Sequence, residues 1–144
     1  MNTMARWLCL AWMPLALAVG CDSNDIGGDP DPVPDYSPQP GDQNLERADV
    51  ELNRVEVVKL NTLPSTYYLI IHGTVPTPCH EVRAVVAPPD GNNEIKVEVY
   101  SVYDPAEVCV QVVQPFSASV DIPSPAPGRY TVRVNDEFQG TLIY

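Results

Sequence analysis

From residue 46 to the end of the chain, apolar and polar residues alternate with period two, and no window sustains a helical repeat of useful length. Ile95, Val97 and Val99 alternate with Lys96, Glu98 and Tyr100; Val108, Val110 and Val112 with Cys109 and Gln111; Phe116, Ala118, Val120 and Ile122 with Ser117, Ser119 and Asp121. Successive side chains of a strand face opposite ways, so each run predicts a strand with one buried face. The pattern recurs at Tyr130, Val132 and Val134, and more loosely over 55–60, 67–73, 82–86 and 138–144. Turn formers separate the runs at 61–65, 76–78, 88–93, Asp104-Pro105, Gln114-Pro115, 123–128 and Asn135-Asp136. About eight short strands in roughly a hundred residues predict one antiparallel sandwich or small barrel.

The stretch Pro127-Gly128-Arg129-Tyr130-Thr131-Val132-Arg133-Val134-Asn135 decides between them. It resembles the F strand of immunoglobulin-like and fibronectin-like domains, whose tyrosine returns its hydroxyl to the backbone as a tyrosine corner. The resemblance implies an all-β, single antiparallel Ig-like β-sandwich of seven to eight strands over 46–144, with Tyr130 at the corner. It departs from antibody domains in lacking a core tryptophan, since Trp7 and Trp12 both precede Cys21.

Ahead of the domain, residues 7–20 form an uncharged apolar run behind Arg6, of secretory length and too short to span a bilayer as a helix. It ends in Ala18-Val19-Gly20-Cys21. That ending resembles the lipobox of bacterial lipoproteins, which implies a signal peptide over 1–20, a diacylglyceryl group on the Cys21 thiol, and cleavage just before it. Two or three acyl chains hold a protein stably on a membrane, where one holds it marginally. The alternative is an ordinary secretory signal cut at a nearby small residue. In enteric lipoproteins an aspartate such as Asp22 after the cysteine implies inner-membrane retention; other lineages sort differently, so the membrane stays open.

Residues 22–45 then carry six aspartates and no Lys or Arg among prolines and glycines. Such a composition predicts a disordered, extended tether over 21–45, reaching roughly 75 Å at most. Calcium binding by Asp29, Asp31 and Asp35 is the alternative, opposed by the prolines between them. The chain has a net charge of −11, and loss of Arg6 with the signal makes it one unit more negative. This excludes binding to nucleic acid or anionic headgroups through a basic surface.

Of the four cysteines, Cys9 leaves with the signal and acylation takes Cys21, so Cys79 and Cys109 are expected to form a disulfide. The competing reading is a reactive thiol in Pro78-Cys79-His80-Glu81, with His80 as base. His72 and His80 would hold zinc only with a carboxylate and only if their strands met, and no metal-ligand spacing supports it. No nucleophile elbow, phosphate loop or dinucleotide fingerprint occurs. No cofactor, metal or catalysis is therefore expected. Tyr67, Tyr68, Tyr100 and Tyr103 are read as cross-strand pairs in preference to a stacking platform for sugars.

The expected role is that of a lipid-anchored cell-envelope protein presenting an Ig-like domain to another envelope or extracellular protein, or for envelope assembly. A tethered protease inhibitor and a thiol or redox enzyme using Cys79 and His80 are the alternatives. Counting strand directions places the turns 61–65, 88–93 and 135–137 together at the end away from the tether. Asp90, Asn92 and Asp136 are thus the candidate recognition residues, while 74–78, 102–107 and 123–128 share the tether's end.

Overall fold

Two sheets form from the alternating runs in the computed structural model, which describes residues 34–144. The expected signal segment, Cys21 and the part of the expected tether over 22–33 lie outside the described residues. One sheet has the order β2-β3-β6, with β2 at Glu51–Leu60, β3 at Thr66–Val75 and β6 at Gln114–Ile122. The other centres on β5 (Glu94–Tyr103), which pairs with β4 (Glu81–Val86) along one edge. Its other edge is shared by β1 (Glu46–Asp49) and β7 (Arg129–Val134), and β8 (Glu137–Ile143) follows β7. The protein is thus an all-β sandwich, mostly antiparallel, with one parallel pair between β5 and β7.

The buried side of each alternation faces the space between the sheets. Tyr67, Leu69 and Ile71 of β3 and Ala118, Val120 and Ile122 of β6 meet Ile95, Val97 and Val99 of β5 and Tyr130, Val132, Val134 and Leu142 of β7 and β8. Burial of apolar surface of this kind is the main favourable term in folding. Gly73 is buried within β3 because its neighbours need the room: an added Cβ would run into the Glu51 carbonyl and come 2.8 Å from the Phe116 ring. The Tyr130 hydroxyl donates to the Ala126 carbonyl at 2.9 Å, a tyrosine corner. Tyr67 joins the two sheets. Its hydroxyl donates to the Ile143 carbonyl at 2.8 Å and accepts the Ile143 N–H at 3.2 Å, and its ring meets Tyr144 edge-on at 4.9 Å.

Three expectations are corrected. Residues 108–112 alternate like a strand but form none. A strand needs a partner edge, and at this point both edges of β5 are occupied by β1 and β4, while the chain must cross from one sheet to the other. Losing that strand reverses the direction of everything after it, which is why β7 runs parallel to β5 and the 123–128 connection lies beside 61–65 and 88–93, away from Glu46. Secondly, β1 is a strand that Glu46-Arg47-Ala48-Asp49 shows no alternation to reveal; Arg47 secures it by lying 3.7 Å over the Tyr100 ring and pairing with Glu98.

The third correction concerns the tether, expected to run free through residue 45. Residues 34–45 instead belong to the same compact unit as the sandwich. The Tyr36 carbonyl accepts the Ala84 N–H at 2.7 Å on the outer edge of β4, and the Tyr36 hydroxyl donates to the Ser117 carbonyl of β6 at 3.0 Å. The 3-10 turn Pro40–Asn44 then presents Asp42 to Arg83, whose Nε and Nη2 donate to its two carboxylate oxygens at 2.8 and 2.9 Å. Arg83 is buried, and Glu81 takes a further bond from it at 2.6 Å. This strap occupies one point on β4, at Ala84, and one on β6, at Ser117, on edges of the kind that can pair with another chain.

Candidate recognition surface

The two cysteines of the domain meet at one end of the sandwich. Cys79 lies in the β3–β4 connection and Cys109 in the β5–β6 connection, and they form a disulfide with Cα atoms 6.1 Å apart. Cys79 therefore presents no thiolate for the nucleophilic alternative in this state. Thr77 is buried beside it, and its hydroxyl is 2.8 Å from Nδ1 of His80. The His80 ring stacks on Tyr103 at 4.6 Å between centroids, and the Tyr103 hydroxyl donates to Glu46 at 2.8 Å. That bond to a carboxylate raises the Tyr103 pKa above the usual tyrosine value. Thr77, Cys79, His80, Tyr103 and Cys109 line a cleft of about 390 Å³, completed by Asp104, Glu107 and Gln111.

Above the cleft runs the crossing segment 108–113. Cys109 and Gln111 are on its cleft side. The valines do not line the cleft and are exposed: Val108 98%, Val110 65%, Val112 59% and Val113 62%. Alternation that would bury an apolar face in a sheet here turns it to solvent. Among the described residues the one backbone hydrogen bond inside the segment joins the Val112 N–H to the Val110 carbonyl at 3.0 Å.

The predicted recognition residues are not brought together. Asp90 and Asn92 lie in the β4–β5 turn, where one oxygen of Asp90 accepts the N–H groups of Asn92 and Glu94 at 2.8 and 2.9 Å. Those bonds, Glu94's first, hold its carboxyl below the ordinary aspartate range, so the side chain already has a structural task. Asp136 sits elsewhere, partway along β5, because β7 is short and pairs only with residues 94–97. Asn135 and Asp136 both have positive φ, 46° and 68°, as a tight hairpin turn between β7 and β8 requires.

Asn135 itself is the residue that sequence reasoning passed over. Its side-chain amide accepts the Val99 N–H at 2.8 Å and donates to the Val99 carbonyl at 2.9 Å. It thereby fills the gap on the β5 edge between the last residue paired with β7 and the first paired with β1. The proximity of Asn-Asp to a strand end marks a turn, but nothing local shows which distant strand the amide will reach.

His72 and His80 are also apart. His72 is on β3 opposite Ser117, with Glu56 4.0 Å from its Nε2, whereas His80 is in the cleft. Among the described residues no group of three His, Cys, Asp or Glu side chains is placed to hold a metal ion. Nor is any helix there long and apolar enough to cross a membrane. The four tyrosines form no platform, since Tyr67 is in the core, Tyr100 lies under Arg47 and Tyr103 is stacked on His80.

Comparison with known proteins places this geometry among relatives of unassigned activity. Residues 69–144, from within β3 to the end, match the model of the ORF11 beta-sandwich domain. Two proteins of Herpetosiphon aurantiacus are similar: an uncharacterized 10.2 kDa protein in the HgiBIM 5' region and another in the HgiEIM 5' region. Each is 32% identical over 79 residues, covering 52% of this chain and 92% of the relative. No solved structure matches.

Proposed function

The chain belongs to the ORF11 beta-sandwich domain family, and from that premise we propose that it is an acyl-anchored cell-envelope protein that presents its sandwich for protein recognition, without catalysis. The observation that carries the anchor is the use of cysteines. The disulfide consumes Cys79 and Cys109, so the thiol of Cys21, at the close of the apolar run 7–20, is the one left for acylation once Cys9 departs with the signal.

The unit that contains the sandwich starts at Pro34. Twelve residues, 22–33, separate Cys21 from Pro34. Fully extended they would reach about 40 Å, little more than half of what a tether running to residue 45 would allow. An acylated Cys21 therefore keeps the sandwich close to the bilayer surface. The strongly acidic chain favours solubility there and opposes adhesion to anionic headgroups.

Intact mass and detergent partition test the anchor. The mature chain should begin at Cys21, exceed its peptide mass by several acyl groups and enter the detergent phase, and Cys21→Ala should abolish the gain. A water-soluble product with a free thiol at Cys21 would rule the anchor out.

A further inference from the structure

We infer that the ridge of residues 108–113 and the cleft beneath it form the docking surface for an extended protein segment in which Lys or Arg side chains flank β-branched apolar residues. The inference rests on the reading of the domain as one that recognises proteins, and it specifies the partner's chemistry and where it binds.

Three observations carry it. The first is the exposed apolar run: four valines at 59% exposure or more lie within six uncharged residues, a concentration that folded domains rarely leave uncovered. A six-residue run of this composition, free of charge and proline, is the kind that pairs with other strands. Leu60, Leu63, Phe138 and Ile143 are exposed as well, but no other six-residue run among the described residues carries more than two such side chains.

The second is pre-organisation. Cys109 is bonded to Cys79, Asp104 accepts the Ala106 N–H, and Gln114 begins the pairing of β6 with β3 opposite Val75. A segment held at its middle and both ends loses little further freedom on binding, which raises affinity for a given contact area.

The third is charge, which selects the partner. Asp104 and Glu107 line the cleft and Glu46 bonds to its Tyr103, and among the described residues none of the three is in an ion pair with Lys, Arg or His. Arg83 and Arg47 are engaged elsewhere: Arg83 by Asp42 and Glu81, Arg47 by Glu98 and Tyr100. A basic side chain of the partner, set into the cleft beside Asp104, Glu107 and Tyr103, meets unneutralised carboxylates and an aromatic ring. Its apolar residues meanwhile cover the valines.

The test uses the full chain in detergent with two synthetic peptides, Arg-Val-Thr-Val-Thr-Val-Arg and its counterpart ending in Glu at both termini. Hydrogen exchange should show the Arg-ended peptide protecting 108–113, with binding that weakens as salt is raised, and the Glu-ended peptide doing nothing. Val110→Asp with Val112→Asp should weaken binding at least tenfold with the melting temperature unchanged, since both side chains are exposed. Asp104→Asn with Glu107→Gln should weaken it severalfold and flatten the salt dependence.

Equal binding of the two peptides would overturn the assigned partner chemistry. Protection at 90–93 or 135–136 in place of 108–113 would overturn the surface and leave protein recognition standing. Protection of 108–113 that grows with protein concentration alone would make a second copy of the chain the occupant, and protection by lipid vesicles without peptide would make it the bilayer; either overturns the proposal. So does the absence of protection by either peptide. The anchor is judged by its own mass and partition measurements, which none of these outcomes alters.

Discussion

At the scale of single residues, side chains complete what the backbone leaves open. Asn135 replaces two ladder hydrogen bonds where β7 ends before β5 does. Asn135→Ala should cost about 2 kcal/mol, because two partly buried backbone groups of Val99 lose their partners, and the Val99 amide should exchange faster while those of 94–97 change little. Tyr144 shows the opposite case. Its hydroxyl is buried with no hydrogen-bond partner among the described residues, and burial, with Tyr67 and Tyr130 adding smaller effects, pushes its pKa up to about 12. A folded pKa raised above the unfolded value of 10 means stability that is complete below pH 10 and lost as pH rises toward 12. Denaturant titrations should therefore find Tyr144→Phe at least as stable as the natural protein at pH 7, and less steeply destabilised between pH 10 and 12.

Among the elements, the strap over β4 and β6 makes the clearest demand. Its polar composition argues for disorder, yet one aromatic, Tyr36, and one carboxylate, Asp42, hold it to the domain. Arg83 is buried and must keep a partner, so the strap and the arginine depend on each other. Arg83→Gln should release residues 37–45 to limited proteolysis at pH 7 while the sandwich stays intact. The hydrogen bond from Arg83, then that from the Gln39 amide, holds the Asp42 carboxyl below its ordinary value of 3.8. A depressed folded pKa gives stability that is present above 3.8 and lost as pH falls through the folded value. Cleavage of the strap should thus rise in acid for the natural chain, whereas Asp42→Asn should be cleaved at every pH with no such dependence.

For the molecule as a whole, the disulfide links the two connections that cross one end of the sandwich, between cysteines 30 positions apart in the chain. On the chain-entropy account, closing a loop of that length contributes roughly 3.5 to 4 kcal/mol. In a domain of this size, Cys79→Ala with Cys109→Ala should lower the melting temperature by about ten degrees or more. Most of that loss should appear as faster exchange at 76–80 and 104–113, the segments that the bond holds together.

The β class, the seven strand runs that alternate or hold apolar residues, the sandwich, the corner tyrosine and the cysteine pair were legible in the chain itself. The β class rests on local periodicity, the sandwich and its corner on a nine-residue stretch that resembles a known strand, and the cysteine pair on counting thiols, all of them features of short stretches of chain. Edge pairing is different, because it depends on which strands arrive next to one another. Val108, Val110 and Val112 carry the propensity for a strand and find no edge free; Glu46 to Asp49 carry little and pair because β5 offers one. From that exchange follow the parallel β5–β7 pair, the separation of Asp136 from Asp90 and Asn92, and the outward turn of the valines. Asp42 and Tyr36 likewise have no local reason to be ordered, since their partners lie 41 and 81 residues away in the chain. Periodicity reports which face of a strand is apolar, and only the tertiary structure decides whether anything in the same molecule is there to cover it.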